Sequence, residues 1–245
     1  MERRDSVAMP KRWKVLDSKT YSIAEVGRLV GLHPRRVSRW LQGYEYSYEL
    51  SEGRLRWGEQ APIVSRGKTA GTTYASFLDL VDLVFVRQFL EHGLSLQKVR
   101  KALDEGREVL GTNHFARESF FTDGRNILLE LTKAGPLRQD GILQLMTGGQ
   151  WTIASIIKQL ATRIEFVEGL GFAKRWYPLK DNNLIVVDPF VSFGRPSITN
   201  RGVTTENVFD LYLGENKSSK KVGDWLSLNP KEVDAAIGFE LKMAA

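Results

Sequence analysis

The 245-residue chain predicts an α+β fold, mainly helical, and three observations lead there. Helix-start signatures stand near both ends, Ser22-Ile23-Ala24-Glu25 and Asn229-Pro230-Lys231-Glu232. Apolar residues recur three and four apart from Phe77 to Phe89 and from Ile153 to Val167. Asp123-Gly124 divides two strand-like runs, the pattern of a β-hairpin with a primed turn. A hydrophobic content of 42% supports one or two packed domains. The expected organisation is an N-terminal unit over residues 1–117, hairpins and a connecting helix over 118–180, and a trihelical, helix-turn-helix-like module over 181–245.

The first element begins at Ile23. Ser22 and Glu25 have the spacing of a capping box, in which the hydroxyl accepts from the third helical amide and the carboxylate reaches back. Ile23, Val26, Leu29 and Val30 share one side of this helix, and Gly31 ends it. His33 is a cap candidate, and Pro34 suits the first position of a second helix. There the 100° step puts Val37, Trp40 and Leu41 on one arc and Arg35, Arg36, Ser38 and Arg39 on the other. Two short helices around a Gly-containing turn, the second cationic, have the geometry of a helix-turn-helix that reads double-stranded operator DNA. Arg35, Arg36 and Arg39 reach guanine edges or phosphates from such a helix, although exposed arginines also suit a merely solvated face.

A strand is expected around Arg54-Leu55-Arg56-Trp57, with a partner near Thr72-Thr73-Tyr74, and the pair would form a wing. Arg54, Arg56, Arg66 and Lys68 would add phosphate contacts, solvated loops being the alternative. Gly67-Lys68-Thr69 is not a nucleotide-binding loop, because Pro62 stands where its first glycine belongs. Ser76 caps a helix to about His92, with Phe77, Leu80, Val81, Val84 and Phe89 as its apolar stripe, and a shorter helix starts at Leu96.

Further along, Asp140-Gly141 suggests a second hairpin, and Thr152 to Val167 a core or dimer helix. Ala173 to Leu179 and Leu184 to Val187 read as one more hairpin across Asp181-Asn182-Asn183. Three helices end the chain: from Thr204 or Thr205 through Tyr212, from Ser218 or Ser219 through Leu226, and from Pro230.

Charge and composition narrow the function. Residues 1–117 hold 20 Lys and Arg against 14 Asp and Glu, whereas residues 118–245 hold 15 of each, so the whole excess of +6 is N-terminal. This asymmetry permits nucleic-acid binding at that end. With no cysteine, disulfides and thiolate metal sites are excluded, and a reducing compartment fits. The segment Met1 to Lys14 is charged, and Asp79, Asp82 and Arg87 interrupt the most apolar stretch, so a cytoplasmic protein without membrane spans is expected. His33, His92 and His114 fall in three different contexts, and no nucleophile motif is present, so neither an enzyme nor a cofactor is expected.

Two resemblances add to this. Tyr21 to Val26, Trp40 and His92-Gly93-Leu94-Ser95-Leu96-Gln97-Lys98-Val99 resemble the MerR-type winged helix-turn-helix over roughly the first hundred residues, with an unusually long segment between Leu41 and Thr72. Ile185-Val186-Val187-Asp188-Pro189 followed by Phe193-Gly194-Arg195-Pro196-Ser197-Ile198 resembles domain-of-unknown-function family 433. That family continues with a Gly and then an Arg two residues later. Ungapped, these positions are Asn200 and Gly202, with Arg201 displaced by one. The combination resembles the VapB-type antitoxins found in mycobacteria. It implies a protein that represses its own operon and neutralises a PIN-like ribonuclease toxin, as a homodimer or a toxin–antitoxin hetero-oligomer. Arg195 and Arg201 are then the toxin-binding candidates, because such ribonucleases hold metal in a carboxylate cluster that accepts a cation; a purely structural turn is the other reading of Arg195-Pro196. The alternative is a stand-alone MerR-like transcriptional regulator whose C-terminal half binds an effector or dimerises.

Overall fold

Ser22 starts α1 (Ile23–Val30) as its spacing dictates: its Oγ accepts from the Glu25 amide at 3.2 Å, and its own amide donates to Glu25 Oε2 at 2.7 Å. Gly31 ends the helix at φ 64°, where a side chain would collide with the Arg87 guanidinium. The His33 ring accepts from the Arg35 amide at 3.2 Å, and Pro34 opens α2 (Pro34–Gln42), which buries Val37, Trp40 and Leu41. This computed structural model describes residues 9–18, 20–50, 54–64, 74–97, 99–100, 103–104, 114 and 159–244. The expected hairpins at Asp123-Gly124 and Asp140-Gly141, the loop cations Arg66 and Lys68, and most of the helix from Thr152 lie outside them.

The wing differs from expectation. Its strands are β2 (Tyr44–Glu49) and β3 (Leu55–Gln60), antiparallel with Tyr44 opposite Gln60 and Glu49 opposite Leu55. The segment near Tyr74 pairs elsewhere, β4 (Tyr74–Ala75) running antiparallel to β1 (Tyr21–Ser22). The reason is proximity: Gly43 ends α2 at φ 76° and delivers Tyr44, Tyr46 and Tyr48, all strand formers, directly beside β3.

Helix α3 (Phe77–Glu91) begins with a second capping box, between Ser76 and Asp79. It is buried on every side rather than along one stripe, Leu78, Leu83, Phe85 and Val86 being as inaccessible as Leu80. The 3-10 turn Lys11–Asp17, α1 and a C-terminal strand all pack around it. Buried Asp82 accepts a hydrogen bond from His114 Nδ1 at 2.8 Å, and Asp17 lies 3.7 Å from Nε2. Burial alone would lower the His114 pKa, but these carboxylates outweigh it and push it up to about 10.

The helix expected to reach Val167 stops early: residues 159–161 are helical, and Ile164 opens β5 (Ile164–Phe166). Gly169 and Gly171, at φ 73° and 66°, turn the chain back into β6 (Ala173–Trp176), which pairs with β5. The expected hairpin between Ala173–Leu179 and Leu184–Val187 is thus replaced. It survives only as two hydrogen bonds exchanged by Trp176 and Val187, because β7 (Ile185–Val186) pairs with β8 (Ser197–Ile198).

The tail forms the three expected helices, α4 (Thr205–Gly214), α5 (Ser219–Leu226) and α6 (Pro230–Ala244). Thr204 and Ser218 cap the first two, and Asn229 and Glu232 cap the third reciprocally. One core runs from Leu16 through α1, α2 and α3 to Trp176 and Val187. The second joins Ile185, Ile198, Val208, Val222, Val233 and Phe239, with Leu29 of α1 packed against it. Helix α1 therefore faces both cores. Among the described residues no helix is long and apolar enough to cross a membrane.

Candidate functional site

Burial of Val37, Trp40 and Leu41 fixes the rotation of α2 and turns Arg35, Arg36 and Arg39 outward, all exposed. Among the described residues neither Arg35 nor Arg36 is in an ion pair. Arg39 stacks over the Tyr44 ring, its guanidinium carbon 4.7 Å from the centroid. Ser38 sits lower, half-buried, and its hydroxyl hydrogen-bonds Gln42 within the helix at 3.1 Å.

Arg54 precedes β3 and is exposed, and Arg56 lies within it. The register divides the wing into two chemically distinct faces. On one, Tyr44, Tyr46 and Tyr48 form a row with successive ring centroids 6.1 Å apart, and Arg56 stands opposite Tyr48. Gly58 lets the Tyr46 ring cover the strand, since a Cβ there would come within 2.6 Å of the ring. The other face carries Glu45, Glu49, Glu59, Leu55 and Trp57, the indole 73% exposed. The tyrosine face suits a polyanion, with hydroxyl donors beside Arg39 and Arg56, and the glutamate face does not. The tyrosines carry no charge, so the charge pattern does not mark them. Their alternation at 44, 46 and 48 was the available signal.

The C-terminal candidates stand on a strained loop. Ser192, Phe193 and Gly194 are all left-handed, at φ 47°, 56° and 78°, and Phe193 is 89% exposed. Tyr21 of β1 fastens this loop to the N-terminal unit, its hydroxyl donating to the Gly194 carbonyl at 3.0 Å. Burial, with Asp188 and Glu25 nearby, pushes the Tyr21 phenol pKa well up. Asp188 is itself buried, accepting from Arg175 Nε at 2.5 Å and from the Phe190 amide at 2.8 Å, so the Asp188-Pro189 of the motif anchors the loop's base. Arg195 is exposed and 3.7 Å from Glu206. Asn200 does adopt a left-handed turn, φ 61°, and Arg201 then lies 3.3 Å from Glu232 at the start of α6. Arg195 is thus the freer of the two cations.

A cavity of about 410 Å³ separates α1 from this loop, bounded by Tyr21, Arg28, Gly194, Arg195, Glu206 and Glu240. Among the described residues no three Asp, Glu or His side chains converge in a metal-holding group.

No family model matches the chain. It is 21% identical over 226 residues, 90% of this chain and 93% of the relative, to a protein of Mycobacterium tuberculosis (strain ATCC 25618 / H37Rv) named "Putative antitoxin VapB45". Its fold is similar to the crystal structure of Rv2018 from Mycobacterium tuberculosis, with a TM-score of 0.68 and 20% identity, covering 91% of this chain and 99% of that one. The chain therefore has an established α+β architecture and a near full-length likeness to a protein named as an antitoxin.

Proposed function

We propose that the chain is the antitoxin of a type II toxin–antitoxin pair, on the strength of that near full-length likeness. Residues 1–117 bind operator DNA as a dimer and repress the operon, and residues 181–245 hold a PIN-like ribonuclease toxin by direct contact. The exposed arc of Arg35, Arg36 and Arg39, continued by Arg56 and the tyrosine face of the wing, supports the DNA half. Arg195, on a loop that presents Phe193 to solvent, supports the toxin half, with Arg201 second because Glu232 holds it. The protein then acts by occupancy and catalyses nothing. An adjacent reading frame for a small PIN-like protein is expected, and co-expression with its product tests the proposal: the outcome is a stoichiometric complex without ribonuclease activity. Failure of the two to associate overturns it.

The cavity at the α1 seam favours one second reading, a stand-alone MerR-like regulator with an effector there. In that case operator binding responds to a small molecule and no neighbouring protein binds.

A further inference from the structure

By sequence the C-terminal half is neutral, yet in space its cations are not spread evenly. A cleft of about 860 Å³ lies between α1 and the start of α2 on one side and α6 with residues 178–182 on the other. Arg28 and Arg87 come to it from the N-terminal half, and Arg163, Lys180 and Lys242 from the C-terminal half. Only Glu91 and Asp181 oppose them in the cleft wall.

The five cations divide into two kinds. Arg87 is held by the Val30 carbonyl and by Glu91 at 2.6 Å, and Arg163 by the Tyr177 and Pro178 carbonyls at 3.0 and 2.5 Å. These two brace the walls. Arg28, Lys180 and Lys242 are exposed and, among the described residues, stand in no ion pair. The cleft thus offers three unneutralised charges beside His33 and Pro34, which begin α2.

We infer that this cleft is a second phosphate-binding surface, through which the C-terminal module takes part in holding duplex DNA. This rests on the operator binding proposed above, with the Arg35, Arg36 and Arg39 face of α2 in the major groove. A helix in that groove, about 12 Å wide, has a phosphate strand on either side. The wing leaves the C-terminal end of α2 with Arg56 and its tyrosines, and the cleft flanks the N-terminal end with Arg28, Lys180 and Lys242. The recognition helix is bracketed by cations at both ends, one set for each strand. Lys180 and Lys242, from different segments of the C-terminal half, have no other acidic group to serve among the described residues.

The test is the salt dependence of binding by the full chain to a fluorescein-labelled duplex taken from upstream of its own reading frame. Each phosphate contact contributes about 0.9 to the slope of log K against log salt, so Lys180→Ala with Lys242→Ala lowers the slope by about 1.8. The ratio of wild-type to variant affinity is then about 12-fold larger at roughly 50 mM salt than at roughly 200 mM. Arg35→Ala, measured in parallel, reports on the recognition helix alone. Loss of binding in Arg35→Ala with an unchanged slope in the double lysine variant overturns the cleft while leaving α2 in the groove. Tight binding of inorganic pyrophosphate that needs both lysines, again with an unchanged slope on DNA, overturns it in favour of a small anion. A wild-type chain that binds no duplex overturns both assignments.

Discussion

Gly194→Ala is expected to loosen the joint between the N-terminal unit and the C-terminal loop. The added methyl would lie 2.0 Å from Tyr21 Oη, in a residue held at φ 78°. A left-handed alanine costs about 1–2 kcal/mol, and the displaced Tyr21 hydroxyl loses its bond to the Gly194 carbonyl, about 1 kcal/mol more. The total is about 2–3 kcal/mol before any further shift of the ring. Tyr21→Phe removes the same bond, 3.0 Å long, without strain and costs about 1 kcal/mol. The two substitutions share one interaction, and the phenylalanine also removes the atom that the methyl strikes. The double variant is therefore less destabilised than the sum of the singles, by about 1 kcal/mol or more. Urea unfolding of the four proteins gives this coupling directly. Additive effects would refute the joint. So would a Gly194→Ala protein as stable as wild type.

Three further outcomes are expected. Arg35→Ala and Arg39→Ala each weaken operator binding by about 1–3 kcal/mol in fluorescence anisotropy, and Arg39→Ala also frees the Tyr44 ring. Arg195→Ala lowers affinity for the proposed ribonuclease partner in calorimetry while leaving thermal stability unchanged, whereas Arg201→Ala lowers stability by up to about 1 kcal/mol, because it leaves the largely buried Glu232 without its cation. His114 has a folded pKa of about 10 against an ordinary value of 6.5, so its contribution is full below 6.5 and is lost as pH rises through 10. Urea midpoints measured from pH 6 to 10 should fall across that window, and the fall should vanish in His114→Gln.

The parts of the fold legible in the sequence are those fixed by neighbours in the chain. Ser22 with Glu25, Ser76 with Asp79 and Asn229 with Glu232 set helix starts through contacts three residues apart, Pro34 does so beside the His33 cap, and these elements stand where the spacing put them. Strand partners were not legible, because pairing is decided by distant residues. The Tyr44–Glu49 strand is almost wholly exposed, so no buried apolar face marked it and its only local signal was the alternation of tyrosines at 44, 46 and 48. Ile164 and Val167 are three apart, which fits a helix, and only the glycines at 169 and 171 disclose the hairpin. The cationic arc of α2 was legible from its wheel, since three buried residues fix the exposed side. The Tyr21 clasp and the gathering of Lys180 and Lys242 beside α1 depend on tertiary contacts and left no local trace.

In the proposed function the chain silences a ribonuclease while reading DNA through a separate surface. Titrating the Arg35→Ala, Arg39→Ala variant, beside the wild type, into any PIN-like ribonuclease found encoded next to the chain tests this separation, since both substitutions lie on the proposed DNA face and leave Arg195 in place. RNA cleavage is predicted to fall linearly to zero at a stoichiometric endpoint. Cleavage that continues undiminished in an excess of the variant and of the wild type would rule out the antitoxin assignment.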